Sequence, residues 1–154
     1  MSNSCVFCKI ICGEIPCKKI YENDHCIVIL DTAEDVDGHM LALPKNHVKN
    51  ILDCDRKTLH ELTDTVKLVS EHLVNHCGYD GINLLNANDE SAGQSIPHFH
   101  IHLIPRKSGD NIDAWPVFEG ITLTLDEMFP KLKIDNNKNR RACNDNQNNE
   151  YGRL

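Results

Sequence analysis

The chain has 154 residues and a net charge of −7, from 16 Lys and Arg against 23 Asp and Glu. That length suits one domain, and the negative balance excludes a protein built chiefly to wrap a nucleic-acid backbone. Hydrophobic residues make up 40% of the chain, which excludes one too polar to form a core.

Eight cysteines and nine histidines stand out. Residues 1–5 carry no basic leader, and no apolar run is long enough to span a bilayer. A cytoplasmic or nuclear location is therefore expected, with no membrane or nucleic-acid partner, and the cysteines are read mostly as thiols.

Ser4 is placed to cap a short helix running to about Cys12, ended by Gly13 and Pro16. Residues 18–22 and 25–30 are β-rich runs separated by Asn23-Asp24, a hairpin signal. Residues 39–43 are a third strand, stopped by Pro44. Over 55–77, Leu59, Leu62, Val66, Val69 and Leu73 recur every three or four residues, one buried stripe on a long helix closed by Gly78. Residues 82–86 and 98–104 are further strands, and a last helical stretch follows Thr124, interrupted by Pro130. The pattern predicts an α+β domain over 1–134, with about five strands in a mainly antiparallel sheet, one long helix and shorter ones. Residues 135–154 hold seven Asn and one Gln and are expected to be a flexible tail.

The segment from Gly93 to Pro105 carries the chemistry. In a strand, alternate side chains share a face, so His98, His100 and His102 line one side while Phe99, Ile101 and Leu103 enter the core. Histidines two apart sit roughly 6.5 Å from one another along a strand, so a metal bound by all three is not the default reading. Imidazole is a good nucleophile toward phosphorus, titrates near neutrality and can leave again. One histidine can attack while a neighbour donates to the developing phosphoryl charge. Gln94 and Ser95 add amide and hydroxyl donors, and Gly93 permits close backbone approach. A half-exposed strand carrying histidines by chance is the weaker reading.

The run His98-Phe99-His100-Ile101-His102-Leu103-Ile104 resembles the His-φ-His-φ-His-φ-φ signature of the histidine-triad (HIT) family of nucleotide hydrolases and transferases. Phe7-Cys8-Lys9-Ile10-Ile11, Gly13-Glu14-Ile15-Pro16, Tyr21-Glu22-Asn23-Asp24, Leu30-Asp31, and Gly38-His39 through Pro44-Lys45-Asn46-His47 also resemble family segments, in family order, over about residues 5–115. The resemblance implies a HIT-like fold whose sheets join across a two-fold homodimer, a purine-nucleotide substrate and no catalytic metal. By position, His100 matches the nucleophile that forms a nucleotidyl-histidine on the α-phosphate, and His102 matches a phosphate contact made with Ser95 and Gln94. Asp31 matches the residue holding the ribose hydroxyls, His39 one lining the phosphate pocket near the leaving group, and Phe7, Ile10 and Ile29 the packing around the base. Implied substrates are adenosine phosphoramidates, adenylated lysine-type amides and dinucleoside polyphosphates.

One departure is Asn86-Ala87-Asn88-Asp89, with Asp89 where family members usually carry glycine. Ala87 falls where some place a phosphate-contacting Asn, leaving Asn86 or Asn88 to substitute. Asp89 also puts negative charge near a phosphate pocket.

Cys5-Val6-Phe7-Cys8 is by itself equally consistent with a redox pair, half a zinc site or chance. A tetrahedral site needs two more ligands. The resemblance implies them: a bacterial-type subgroup pairs such cysteines with the histidines matching His47 and His98, around a structural zinc. The ending Leu103-Ile104-Pro105-Arg106 also resembles that subgroup. The expected function is thus α-phosphate hydrolysis releasing a nucleoside monophosphate. The alternative is a nucleotide-binding or zinc-stabilised interaction module with vestigial catalysis, and a redox protein on Cys5 and Cys8 is a third reading.

Overall fold

The computed structural model describes residues 5–33, 35–114, 118 and 120–134. These belong to two compact units, Met1–Ala114 and Trp115–Leu154. The expected tail over 135–154 and the expected cap Ser4 lie outside the described residues.

The first unit runs α1 (Val6–Ile11), β1 (Lys19–Glu22), β2 (Cys26–Leu30), β3 (Met40–Pro44), α2 (Arg56–His76), β4 (Gly81–Leu85) and β5 (Ile101–Arg106). Its strands form one antiparallel sheet in the order β1-β2-β3-β5-β4. The β1–β2 hairpin is set by Asn23, whose Oδ1 accepts from the backbone N–H groups of His25 at 2.9 Å and Cys26 at 2.7 Å. Asp55 caps α2, accepting from the Thr58 backbone at 2.9 Å and the Thr58 hydroxyl at 2.7 Å.

β2 and β3 are apolar throughout because both of their faces are covered. On one face Leu62, Val66, Val69 and Leu73 of α2 pack on Cys26, Val28, Met40, Ala42, Phe99 and Leu103. On the other, Cys5 just before α1 and Phe7 and Cys8 within it pack on Ile27, Ile29, Leu41 and Leu43. The second unit contains α3 (Leu125–Leu132), opened by a capping box between Thr124 and Glu127, with Pro130 inside the helix rather than ending it. Among the described residues no helix is long and apolar enough to cross a membrane.

The histidine segment differs from a continuous strand. β5 begins at Ile101, and its pairing with β3 stops at Ala42↔Ile101. Continuing that register would set Phe99 against Pro44, which has no N–H to give the Phe99 carbonyl and whose own carbonyl accepts from His98 Nε2 at 2.9 Å. The Phe99 N–H donates instead to the Val48 carbonyl at 2.7 Å. The alternation of faces nonetheless persists: Phe99 and Leu103 enter the α2-side core, while His98 turns toward Cys5 and Cys8.

Candidate functional site

A cleft of about 1200 Å³ opens beside α1 and the start of β5. Phe7, Ile10, Ile29, Asp31, His39, Ser95, His100 and His102, which arrive from five separate stretches of chain, all line it. The apolar side chains of Phe7, Ile10 and Ile29 are supplied by α1 and β2, and the ring of Phe7 meets that of His100 edge-on at 5.3 Å.

The polar part is a set of imidazoles with defined partners. His100 Nδ1 lies 2.7 Å from the His98 carbonyl, which only accepts, so this nitrogen carries the proton. In the neutral ring the lone pair is then on His100 Nε2. The Asn86 side chain donates to the His100 carbonyl at 2.7 Å. His102 Nδ1 lies 2.9 Å from His39 Nε2, and His39 Nδ1 lies 2.7 Å from Asp35 Oδ1. Asp31 stands behind this pair, with Oδ2 at 3.6 Å from His39 and 3.9 Å from His102. Asp31, His39 and His102 also have the donor types and spacing to hold a metal ion, but the His39–His102 separation is that of a hydrogen bond.

Burial pushes the His102 imidazole down from 6.5 to about 4, helped by His100 and His39 and opposed by Asp31 and Asp35. Between those pH values the unfolded chain binds a proton that the folded His102 refuses. Stability therefore rises with pH across that window and levels off above it, by at most about 3 kcal/mol from this residue. Urea midpoints measured from pH 4 to 8 are expected to show this slope, and His102→Asn is expected to reduce it. An unchanged slope in the variant would remove His102 as its source.

Four expected ligand-binding residues are placed differently from the rest. Gln94 accepts from the Asp89 N–H at 2.8 Å and donates to the carbonyls of Lys49 at 2.7 Å and Ile96 at 3.0 Å. Asn88 accepts from the Ile51 N–H at 2.9 Å and donates to Asn86. Gly93, with φ of +86°, turns the loop. None of these, nor Asn86, is among the residues lining the cleft; they brace the loop and the His100 backbone. Asp89 adopts φ of +68°, a conformation natural to glycine, and its carboxylate pairs with Lys49. The charge set near the phosphate pocket by the sequence is thus met by a lysine. Asp35 is a cleft residue that sequence reading missed, since one acid of the run Glu34-Asp35-Val36-Asp37, four residues before a histidine, carries no periodic signal.

Cys5, Cys8, His47 and His98 each offer one donor atom, all within 4.8 Å of one another. Cys5 Sγ and Cys8 Sγ lie 3.5 and 3.7 Å from His98 Nδ1, and Cys8 Sγ lies 3.2 Å from His47 Nδ1. Such separations suit four ligands around one tetrahedral ion with bonds of about 2.0–2.3 Å. His98 Nε2 donates to the Pro44 carbonyl at 2.9 Å, which leaves Nδ1 bare and aimed at the sulfurs. Burial, His47 and His100 hold His98 toward its neutral, ligating form, against the Pro44 carbonyl. Burial, then the adjacent Cys5 sulfur, pushes the Cys8 thiol up to about 11. Two thiolates this close need a cation between them. The donor set fits a zinc ion.

The HIT domain pattern matches residues 12–109. The chain is 42% identical over 132 residues to the adenylylsulfatase HINT3 of Arabidopsis thaliana, covering 86% of this chain and 67% of that protein. It is 34% identical to the adenosine 5′-monophosphoramidase hnt1 of Schizosaccharomyces pombe, covering 84% of this chain and 99% of that protein. A Zn-bound histidine triad family protein from Mycobacterium smegmatis shares the fold with a TM-score of 0.70 and 30% identity, covering 74% of this chain and 83% of that one.

Proposed function

The chain belongs to the HIT domain family, and from that premise we propose that it hydrolyses a purine-nucleoside phosphate carrying a leaving group on its α-phosphorus. The substrate class comprises adenosine phosphoramidates, adenylyl sulfate and dinucleoside polyphosphates; the first two are the activities for which the Schizosaccharomyces pombe and Arabidopsis thaliana relatives are named. One observation carries the reading: His100 Nδ1–H is committed to the His98 carbonyl, which leaves Nε2 as a nucleophile at the cleft.

In the first step His100 Nε2 bonds to the α-phosphorus as the bond to the leaving group breaks, and the electron pair departs with that group. His102 and Ser95 donate to the phosphoryl oxygens, and Asp31 accepts from the ribose hydroxyls. The base lies among Phe7, Ile10 and Ile29. Water then attacks phosphorus, the P–Nε2 bond breaks with its pair returning to His100, and nucleoside monophosphate leaves. Release of AMP from adenosine 5′-phosphoramidate tests this directly, and no release from any of the three substrate classes would favour the vestigial module.

Cys5, Cys8, His47 and His98 are proposed to hold a zinc ion whose chemistry is structural: it neutralises two thiolates and pins α1 to the segment before β5. A homodimer is also proposed. β4 is a sheet edge, and Leu84 on it is 52% exposed. Beside it a groove lined by Val66, Leu85 and Ile101 contains the buried Ser70 hydroxyl, which has no hydrogen-bond partner among the described residues. Leu84→Glu is expected to convert the dimer to a monomer, read by light scattering on a sizing column. An unchanged mass would place the contact elsewhere. Residence in the cytoplasm or nucleus belongs to the same proposal and is checked by cell fractionation.

A further inference from the structure

Asp35 closes a chain of three groups that ends beside the reacting histidine. Its Oδ1 lies 2.7 Å from His39 Nδ1, His39 Nε2 lies 2.9 Å from His102 Nδ1, and the His102 ring is 5.0 Å from that of His100. A carboxylate only accepts, so His39 Nδ1 bears a proton in every state of this chain. The His39–His102 bond then has two forms. With both rings neutral, His39 Nε2 accepts from His102 Nδ1–H, and His102 is left with a bare Nε2. With one more proton, His39 Nε2–H donates to His102 Nδ1, and His102 presents Nε2–H. Only the second form can donate to a substrate, and it sets an imidazolium against the Asp35 carboxylate at hydrogen-bond distance, which favours it.

Asp35 is held for this purpose. Its Oδ1 also accepts from the Val36 N–H at 2.8 Å, and the turn behind it is closed by the His39 N–H on the Val36 carbonyl at 3.0 Å. Gly38 in that turn has φ of +80°, and a Cβ there would lie 2.9 Å from the Tyr79 hydroxyl.

We propose that Asp35 is a positioning residue that keeps an extra proton on the His39–His102 pair and so fits the site to leaving groups that must be protonated. The inference rests on the hydrolase reading above and deepens it. In a phosphoramidate, the P–N bond breaks as His100 Nε2 bonds to phosphorus, and the electron pair goes to the departing nitrogen. That nitrogen takes the His102 Nε2 proton, held on a phosphoryl oxygen until the bond breaks, while the His39 Nε2 proton moves to His102 Nδ1, which leaves both rings neutral. In the second step a proton of the attacking water restores the pair, so the sum is phosphoramidate plus water to AMP plus ammonia. Sulfate, in contrast, leaves an adenylyl sulfate as a stable anion and needs no proton.

The test compares kcat for adenosine 5′-phosphoramidate and for adenylyl sulfate in the wild type, Asp35→Asn and Asp35→Glu. Asparagine keeps an acceptor for His39 but removes the charge. For Asp35→Asn, kcat for the phosphoramidate is expected to fall roughly 10- to 100-fold, at least tenfold more than for adenylyl sulfate, with KM little changed. Asp35→Glu is expected to recover part of the loss. In ¹⁵N spectra near pH 7, His39 is expected to carry protons on both ring nitrogens in the wild type and on one in Asp35→Asn. Equal losses on the two substrates, no loss on either, or an unchanged His39 spectrum would overturn the proposal. If the wild type turns over neither substrate, the hydrolase reading fails instead, and the His39 spectra still decide the role of Asp35.

Discussion

His100→Ala is expected to lower AMP release from adenosine 5′-phosphoramidate by on the order of 10⁴-fold or more, with a much smaller change in KM. The size follows from the geometry of the tautomer. In the protonated pair with His39, His102 carries its proton on Nε2, and the His98 ring is spanned between the cysteines and the Pro44 carbonyl, so neither offers a nitrogen prepared as His100 Nε2 is. What remains in the variant is binding and the donors around the phosphate, which stabilise charge but form no bond to phosphorus. Two measurements separate nucleophilic attack from general-base assistance to water. Acid-free rapid quenching of the wild type is expected to yield protein carrying one nucleotidyl group on His100, and the same experiment on the variant none. Nucleotide affinity is expected to survive in His100→Ala, because the apolar floor and Asp31 are untouched. Unchanged AMP release in the variant would end the nucleophile assignment.

Cys8→Ser is expected to carry the largest loss of stability. Elemental analysis of the wild type is expected to give about one zinc per chain, and the variant close to none. Serine is a poor zinc ligand, and its loss leaves Cys5, His47 and His98 gathered with no ion to hold them. A loss of about 3 kcal/mol would lower the thermal midpoint by roughly 10 °C in a domain of this size. The same fall is expected when the wild type is treated with a strong chelator, and zinc is expected to reverse it there but not in the variant. The cluster is remote from bond making, so kcat near 25 °C is expected to fall by less than about tenfold while the variant remains folded. A wild type without zinc, unaffected by chelation, would remove the metal reading and leave a packed pair of thiols.

Much of this arrangement is legible in the sequence because it follows from local periodicity. The stripe from Leu59 to Leu73 identifies the buried face of α2, and the apolar runs in β2 and β3 show strands covered on both sides. The start of β5 is not legible, because it depends on Pro44, a partner 55 residues earlier that a reading of the histidine segment alone does not consult. Gln94 and Asn88 are the same kind of case. Their residue types suit a phosphate, but their hydrogen bonds go to the backbone of Lys49 and Ile51, which only the folded loop brings near. The grouping of His39 with His102 is readable only through the family resemblance, and Asp35 is not readable at all, since it requires the turn at 36–39 to aim one carboxylate at one nitrogen.

His98 belongs to both sites at once, with its ring against the cysteines and its carbonyl holding His100. This sharing is lopsided in what it allows a lineage to discard. Were both cysteines to drift away, the His98 ring would keep its bond to the Pro44 carbonyl, and the main chain there would keep its course. The reverse does not hold, for a replacement at 98 takes the ring from the cysteines and from the Pro44 carbonyl together, leaving only the main chain to present its carbonyl to His100. Loss of the His98 ring is thus felt on both sides of that segment, whereas loss of the cysteines is felt on one.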